Sequence, residues 1–280
     1  MQNMRINKYF MKNGFQLFIM KNLQICKVLI LLFNILLLNS CTECSSKNNN
    51  ISERKEPEPL PPKGVNEVIV FLGKSGVGKS TLCNSIFQKI IFRSGTSNIN
   101  GVTAKQQQYL YNNKLYIDTP ALAEVEINKI TAGEIEKALK QDNNYKIVFV
   151  ATLNGGRIDE YDFVAINKIC DAIKIPFDYG LIFNKVTKRI IQKIGEGGIK
   201  KYLKALNKPP VSILFLEKDD EIEDADNLYF SDNSENIKRL TNFLSKLKTT
   251  KLLPTDISEI NISNFQEEID NMKNTLKKLN

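Results

Sequence analysis

Between residues 73 and 80 the chain reads Gly-Lys-Ser-Gly-Val-Gly-Lys-Ser, a glycine-rich run ending in a lysine and a hydroxyl. The spacing GxxxxGK[ST] is what a loop needs in order to wrap a phosphate chain. Gly73, Lys74, Ser75, Gly76, Val77 and Gly78 form a nest whose backbone N–H groups point at a β-phosphate. Lys79 sets a point charge at the β- and γ-phosphates, Ser80 offers its hydroxyl to Mg²⁺, and Thr81 stands near the α-phosphate. A helix opening at Lys79 adds its positive end to that field.

Three further points extend this chemistry. Asp118-Thr119-Pro120 follows an apolar run, and a carboxylate at that strand end can hold Mg²⁺ through a water. Thr103 lies in the segment Gly95–Thr103 between the first helix and an edge strand. There it would give a hydroxyl to Mg²⁺ and an N–H to the γ-phosphate, with Thr96 as its competitor. The catalytic assignments are therefore Lys79 and Thr103, and the metal assignments Ser80, Thr103 and Asp118. Phe183-Asn184-Lys185-Val186-Thr187 resembles the NKxD element with which G proteins read guanine. That resemblance puts Asn184 on the base edge and the Lys185 stem over the ring. Thr187 stands where the aspartate belongs, and a hydroxyl brings no charge, which weakens guanine discrimination by about 1.5–3 kcal/mol.

These residues need a scaffold that brings loops to one rim. Val68–Leu72, Leu115–Ile117, Ile147–Val150, Gly180–Phe183 and Val211–Leu216 are apolar runs of the kind that form strands buried on both faces. The more polar Gln106–Tyr111 suits an edge strand. Helical patterns lie near 79–92, 129–140, 160–173, 188–206 and 234–248. This alternation predicts an α/β fold with a mostly parallel central sheet and helices on both faces. Right-handed crossovers then put the loops after the strands together. Past Pro254, the apolar positions Phe265, Ile269, Met272, Leu276 and Leu279 predict a last helix, with Ser263 and Gln266 as a capping box. It either packs on its own domain or serves as a coiled-coil handle for a partner.

Phosphate loop, switch threonine, Asp-Thr-Pro and Asn-Lys occur in the order found in P-loop NTPases with a Ras-like G domain. Gly155-Gly156-Arg157-Ile158-Asp159-Glu160-Tyr161-Asp162 is similar to the GR-x-x-E-x-D stretch of AIG-type (GIMAP-like) G domains. The resemblance covers about residues 67 to 250. It implies GTP or GDP with Mg²⁺, nucleotide-dependent homodimers or larger oligomers, and work at membrane surfaces. Two departures bear on turnover. Ala121 replaces the glycine whose backbone meets the γ-phosphate, and Leu122 brings no side chain that could orient a water. Slow GTP hydrolysis is expected, with Arg157 as a group one subunit could lend another. A nucleotide-bound scaffold without turnover and a P-loop ATPase are the competing readings.

Composition limits the rest. The 280 residues contain no histidine, which excludes an imidazole base and argues against Cys/His zinc sites. Five cysteines show no metal spacing in the globular part, and Cys83 and Cys170 fall in helical apolar patterns as small buried residues. A net charge of +8 suits an anionic partner, but the lysines are spread along the sequence with no nucleic-acid-binding signature. Residues 1–44 form a leader: basic residues, the apolar run Val28–Leu38, then Leu38-Asn39-Ser40-Cys41, which resembles a bacterial lipobox. It implies lipid anchoring at Cys41, with Met20 as a second candidate start. The alternatives are an uncleaved single-pass anchor from about Leu23 to Ser40 and a plain apolar leader with no further fate. Residues 45–66 are a Pro-rich linker, 67–250 the G domain, and 251–280 the terminal helical segment.

Overall fold

A computed structural model describes residues 65–93, 105–122, 129–223 and 228–279, all inside one compact unit, Pro59–Asn280. The leader, nearly all of the linker and the switch threonine Thr103 lie outside the described residues.

The apolar runs form the strands their composition predicts. These are β1 (Glu67–Leu72), β3 (Lys114–Asp118), β4 (Asn143–Asn154), β6 (Tyr179–Val186) and β7 (Ser212–Glu217). They lie parallel in the order β3-β1-β4-β6-β7, and β2 (Gln107–Tyr111) closes the β3 edge as an antiparallel partner. Polar β2 is an edge strand, paired on one side only among the described residues. Two short strands attach to β4. The first, β5 (Arg157–Ile158), makes a hairpin across Gly155-Gly156. The second, β8 (Thr250–Leu252), pairs with the first residues of β4.

Helices cover both faces, and their buried residues separate into two cores. On one face lie α1 (Lys79–Phe87) and α6 (Glu235–Lys246), which bury Leu82, Phe87, Leu240 and Phe243 against Ile69, Phe71, Val148 and Ile182. On the other lie α2 (Lys129–Leu139), α3 (Glu160–Ala172), α4 (Lys188–Leu203) and α7 (Phe265–Lys278). The short helix α5 (Asp220–Glu223) follows β7.

Several boundaries differ from the sequence expectation for local reasons. Helix α1 stops at Phe87 rather than 92, because Gln88 turns left-handed (φ 51). The buried Asn84 amide then takes the N–H groups of Ile91 and Phe92 and donates to Phe92 O. Helix α4 ends at Leu203 rather than 206. The expected capping box of α7 does not form. Its cap is Asn264 in a left-handed conformation, and the Ser263 hydroxyl donates to Asn261 Oδ1 at 2.5 Å. Phe265, Ile269, Met272 and Leu276 are buried as the periodicity predicts, whereas Leu279 is not. They pack α7 against α3, with Lys168 of α3 paired to Glu268 at 2.8 Å, so the last helix belongs to its own domain.

Candidate functional site

β1 ends at Leu72, and the chain must then reverse over the rim before α1 begins at Lys79. Gly73 makes the first step at φ 148, where a Cβ would stand 2.1 Å from the Val150 carbonyl oxygen. Gly78 makes the last at φ 96, where a Cβ would stand 2.5 Å from Asn184 Nδ2. Both sites demand glycine on conformation and on space. Lys79 is 7% exposed and its ammonium donates to the carbonyl oxygens of Gly73 and Lys74, at 2.9 Å each. Ser75 and Thr81 are half-buried, Gly76 is exposed, and Val77 anchors the loop in the core beside α1.

β3 delivers Asp118 to the same rim. Ser80 Oγ donates to Asp118 Oδ2 at 2.5 Å, and the carboxylate is wholly buried. Burial pushes its pKa up, against the opposing pull of Lys79 and the Ser80 hydroxyl. Its Oδ1 has no hydrogen-bond partner among the described residues. Thr119 turns inward and donates to Phe71 O at 2.8 Å, which ties β3 to β1.

The Asn184–Thr187 segment reaches the rim from β6. Asn184 is buried, and its Nδ2 donates to Val77 O at 2.9 Å, so it clasps the phosphate loop from behind. Its Oδ1 is buried and has no partner among the described residues. Lys185 takes a left-handed conformation (φ 60), and its Cε lies 3.7 Å from where a Gly78 Cβ would stand. Thr187 is the exposed N-cap residue of α4. Its carbonyl accepts from Ile190 N and Ile191 N, while its hydroxyl makes no cap bond.

One cluster at the site had no assigned role in the sequence reading. Asp159 caps α3, with Oδ1 accepting from Tyr161 N at 3.0 Å, and its Oδ2 takes the ammonium of Lys74 from the phosphate loop. Beside it Asp162 is 4% exposed. Among the described residues its Oδ2 has only the Thr152 N–H at 3.4 Å, and its Oδ1 has no partner. Burial raises Asp162 to about 7, with Asp159 adding to the rise and Lys74, Thr152 N–H and Lys79 opposing it. Burial alone would lower Lys74, but Asp162, Asp159 and Glu160 outweigh it and raise the ammonium's pKa. The Asp159-Glu160-Tyr161-Asp162 string was visible in sequence. Its partner in the phosphate loop, 85 residues away, was not.

The site thus gathers Gly73–Thr81, Asp118, Asn184 and Lys185 on one rim, while Thr103 falls outside the described residues. Residues 68–214 match the model of the 50S ribosome-binding GTPases. The chain belongs to that family. A probable GTP-binding protein EngB of Thermotoga petrophila is 33% identical over 141 residues, covering 48% of this chain and 68% of that relative. Its counterpart in Mycoplasma pneumoniae is 35% identical over 89 residues, and there the chain spans 45% of the relative's length. Among solved structures, Toc33 from Arabidopsis thaliana in complex with GDP and Mg²⁺ is 16% identical at a TM-score of 0.41. That match covers 66% of this chain and 87% of the other. NFeoB from S. thermophilus bound to GDP·AlF4⁻ and K⁺ is 12% identical at a TM-score of 0.41, covering 70% and 65%.

As a member of this GTPase family the chain is a GTP-binding G-domain protein, with GTP or GDP and Mg²⁺ as its ligands. The residues present fit that group. Asp118 Oδ1 is a buried oxygen in want of a partner beside the Ser80 hydroxyl, a donor pair suited to a hard cation. Gly73 and Gly78 keep the loop backbone bare for phosphate oxygens, and Lys79 is already held at the loop by two carbonyls that a phosphate can replace. Ser80 and Asp118 would hold Mg²⁺ there, and the ion would supply positive charge against the negative charge of the phosphates.

Proposed function

We propose that this protein is a membrane-tethered GTPase of the AIG-type, slow in hydrolysis, whose GTP-bound form self-associates. Leu122 is the observation that carries the slow turnover. It follows Asp118-Thr119-Pro120-Ala121, where a water-orienting side chain would stand, yet it is 1% exposed and packed in the α2–α3 core. With no histidine in the chain, the rate must come from phosphate positioning and charge, from Lys79, Mg²⁺ and Thr103, rather than from a base in that stretch. Arg157 is exposed in the β4–β5 hairpin, a position from which it can reach a second copy. The apolar leader and its Leu38–Cys41 lipobox support the tether, with the uncleaved anchor as the other form of it.

Fluorescent-nucleotide titration of the full chain, with GTP and ATP as competitors beside Lys79→Ala, tests the base and the loop together. GTP displacing the probe at least tenfold better than ATP, with binding lost in Lys79→Ala, is the expected result. ATP winning by the same margin would end the guanine reading. Single-turnover phosphate release then separates a slow GTPase from a non-hydrolysing scaffold, the second reading that Ala121 and Leu122 favour. Sedimentation with GTP and with GDP reads self-association, and mass spectrometry of the membrane fraction with Cys41→Ser reads the anchor.

A further inference from the structure

Cationic residues run through the whole sequence, but the fold gathers them unevenly. Between Lys188 and Lys208 stand seven lysines and arginines, with Glu196 as the only acidic residue. Arg189, Lys193, Lys200 and Lys204 recur at i, i+4, i+11 and i+15, which places them within an arc of roughly 60° along one side of α4 at 3.6 residues per turn. All four are exposed, and none has an acidic partner among the described residues. By contrast Lys188 pairs with Glu217 at 3.6 Å, Lys201 lies over the Tyr202 ring at 4.7 Å and Lys208 over Phe177 at 4.1 Å. The stripe is about 22 Å long at 1.5 Å per residue, four guanidinium and ammonium groups on flexible stems with Glu196 at i+7 on the same side of the helix, so cations outnumber carboxylates four to one along it.

We propose that this side of α4 docks the G domain on an anionic bilayer surface. Long cationic side chains suit such a surface because their stems lie along it while their heads meet lipid phosphates. An apolar neighbour distinguishes this partner from a polynucleotide. Lys200 and Lys204 share an open cleft with Pro209, Pro210 and Val211, and Val211 is 55% exposed. An apolar group beside cations gains at a headgroup boundary and gains nothing on a phosphate–sugar backbone. No aromatic side chain stands in the stripe to stack on a base; Tyr202 is half-buried and covered by Lys201. The helix starts at the nucleotide rim and runs away from it along the face shared with α3, so docking along α4 leaves the phosphate loop open. The surface stands on charge and does not require the leader, although a tether would raise the local concentration of the domain at a bilayer.

Vesicle co-sedimentation of the full chain tests the idea, because neutral lipid reads the leader and the added effect of anionic lipid reads the stripe. Phosphatidylcholine vesicles are compared with vesicles holding about 30% phosphatidylglycerol, at about 0.1 M and 0.5 M salt. The expected result is partition at least tenfold tighter on the anionic vesicles at low salt. That gain should vanish at high salt and in Arg189→Glu/Lys193→Glu/Lys200→Glu/Lys204→Glu. The milder set with glutamine at the same four positions should lose it too, with nucleotide affinity unchanged as the check on folding. Equal partition on the two lipids, or a gain that survives in the glutamine set, overturns the proposal. Displacement by double-stranded RNA at matched phosphate concentration also overturns it and reassigns the stripe to nucleic acid. Failure of the native chain to bind neutral vesicles would instead count against the leader as an anchor and leave this surface standing.

Discussion

Replacing Asp162 by asparagine removes a buried charge while keeping the shape of the side chain. In the folded protein this carboxyl is raised to about 7, against an ordinary 3.8, because it is 4% exposed and one of its oxygens has no donor among the described residues. Between those two values the folded state keeps a proton that the unfolded state has released. Unfolded protein then binds fewer protons than native, so stability falls as pH rises through this window and is level on either side. The size follows from about 1.36 kcal/mol for each pH unit, which over the window sums to at most about 4 kcal/mol. The contribution is whole below 3.8 and gone above 7. Asparagine does not titrate, so its stability relative to the native chain should climb by about 2–4 kcal/mol between pH 4 and pH 8. Any constant offset from lost contacts with Lys74 leaves that slope untouched. Asp118, also raised by burial, titrates in both proteins and cancels from the comparison. Urea unfolding midpoints at each pH, with the m-value checked for constancy, supply the measurement. Parallel pH profiles for the two proteins would refute the reasoning, because they would mean Asp162 titrates as if exposed.

Other expectations follow from the same geometry. Thr187→Asp restores a carboxylate at the exposed cap of α4 and should raise the preference for GTP over ATP tenfold or more in competition, from about 1.5–3 kcal/mol of charge-assisted bonding; an unchanged ratio would place base recognition elsewhere. Gly73→Ala drives a Cβ to 2.1 Å from a backbone oxygen of β4, which cannot yield as a side chain would. Nucleotide titration should show loss of binding, and the urea midpoint a loss of about 2 kcal/mol or more. Asn84→Ala breaks the three hydrogen bonds that close the turn after α1 and leaves buried N–H groups unpaired. Chemical denaturation should read a cost of about 2–4 kcal/mol. In a thiol-titration assay on the folded chain, Cys83 should stay unreactive, since burial holds its thiol well above the ordinary range.

Much of the scaffold was legible because it rests on short-range rules. Continuous apolar runs mark strands buried on both faces, and β1, β3, β4, β6 and β7 lie where those runs are, with polar β2 at the edge. Their ends were less legible, because they depend on single side chains reaching back. Asn84 stops α1, and Asn264 displaces the expected Ser263–Gln266 cap of α7. The Asn-Lys element shows the same limit. Spacing placed Asn184 after a buried strand. Only the packed structure shows its amide donating to Val77 O, behind the phosphate loop.

By itself the sequence determined the phosphate chemistry. The Gly73–Ser80 spacing states which backbone atoms are bare and which side chains follow, and both are properties of adjacent residues. The tertiary structure decided the charge environment of that loop and which cations are left for a surface. Lys74 pairs with Asp159, 85 residues away, and feels the charge of Asp162 because α3 starts at the same rim as the loop, and Leu122 turns inward into the core shared with α2 and α3. Arg189, Lys193, Lys200 and Lys204 form a stripe because a helix folds them onto one side and none of them has an acidic partner among the described residues. Such pairings depend on distance through space, which sequence order does not encode.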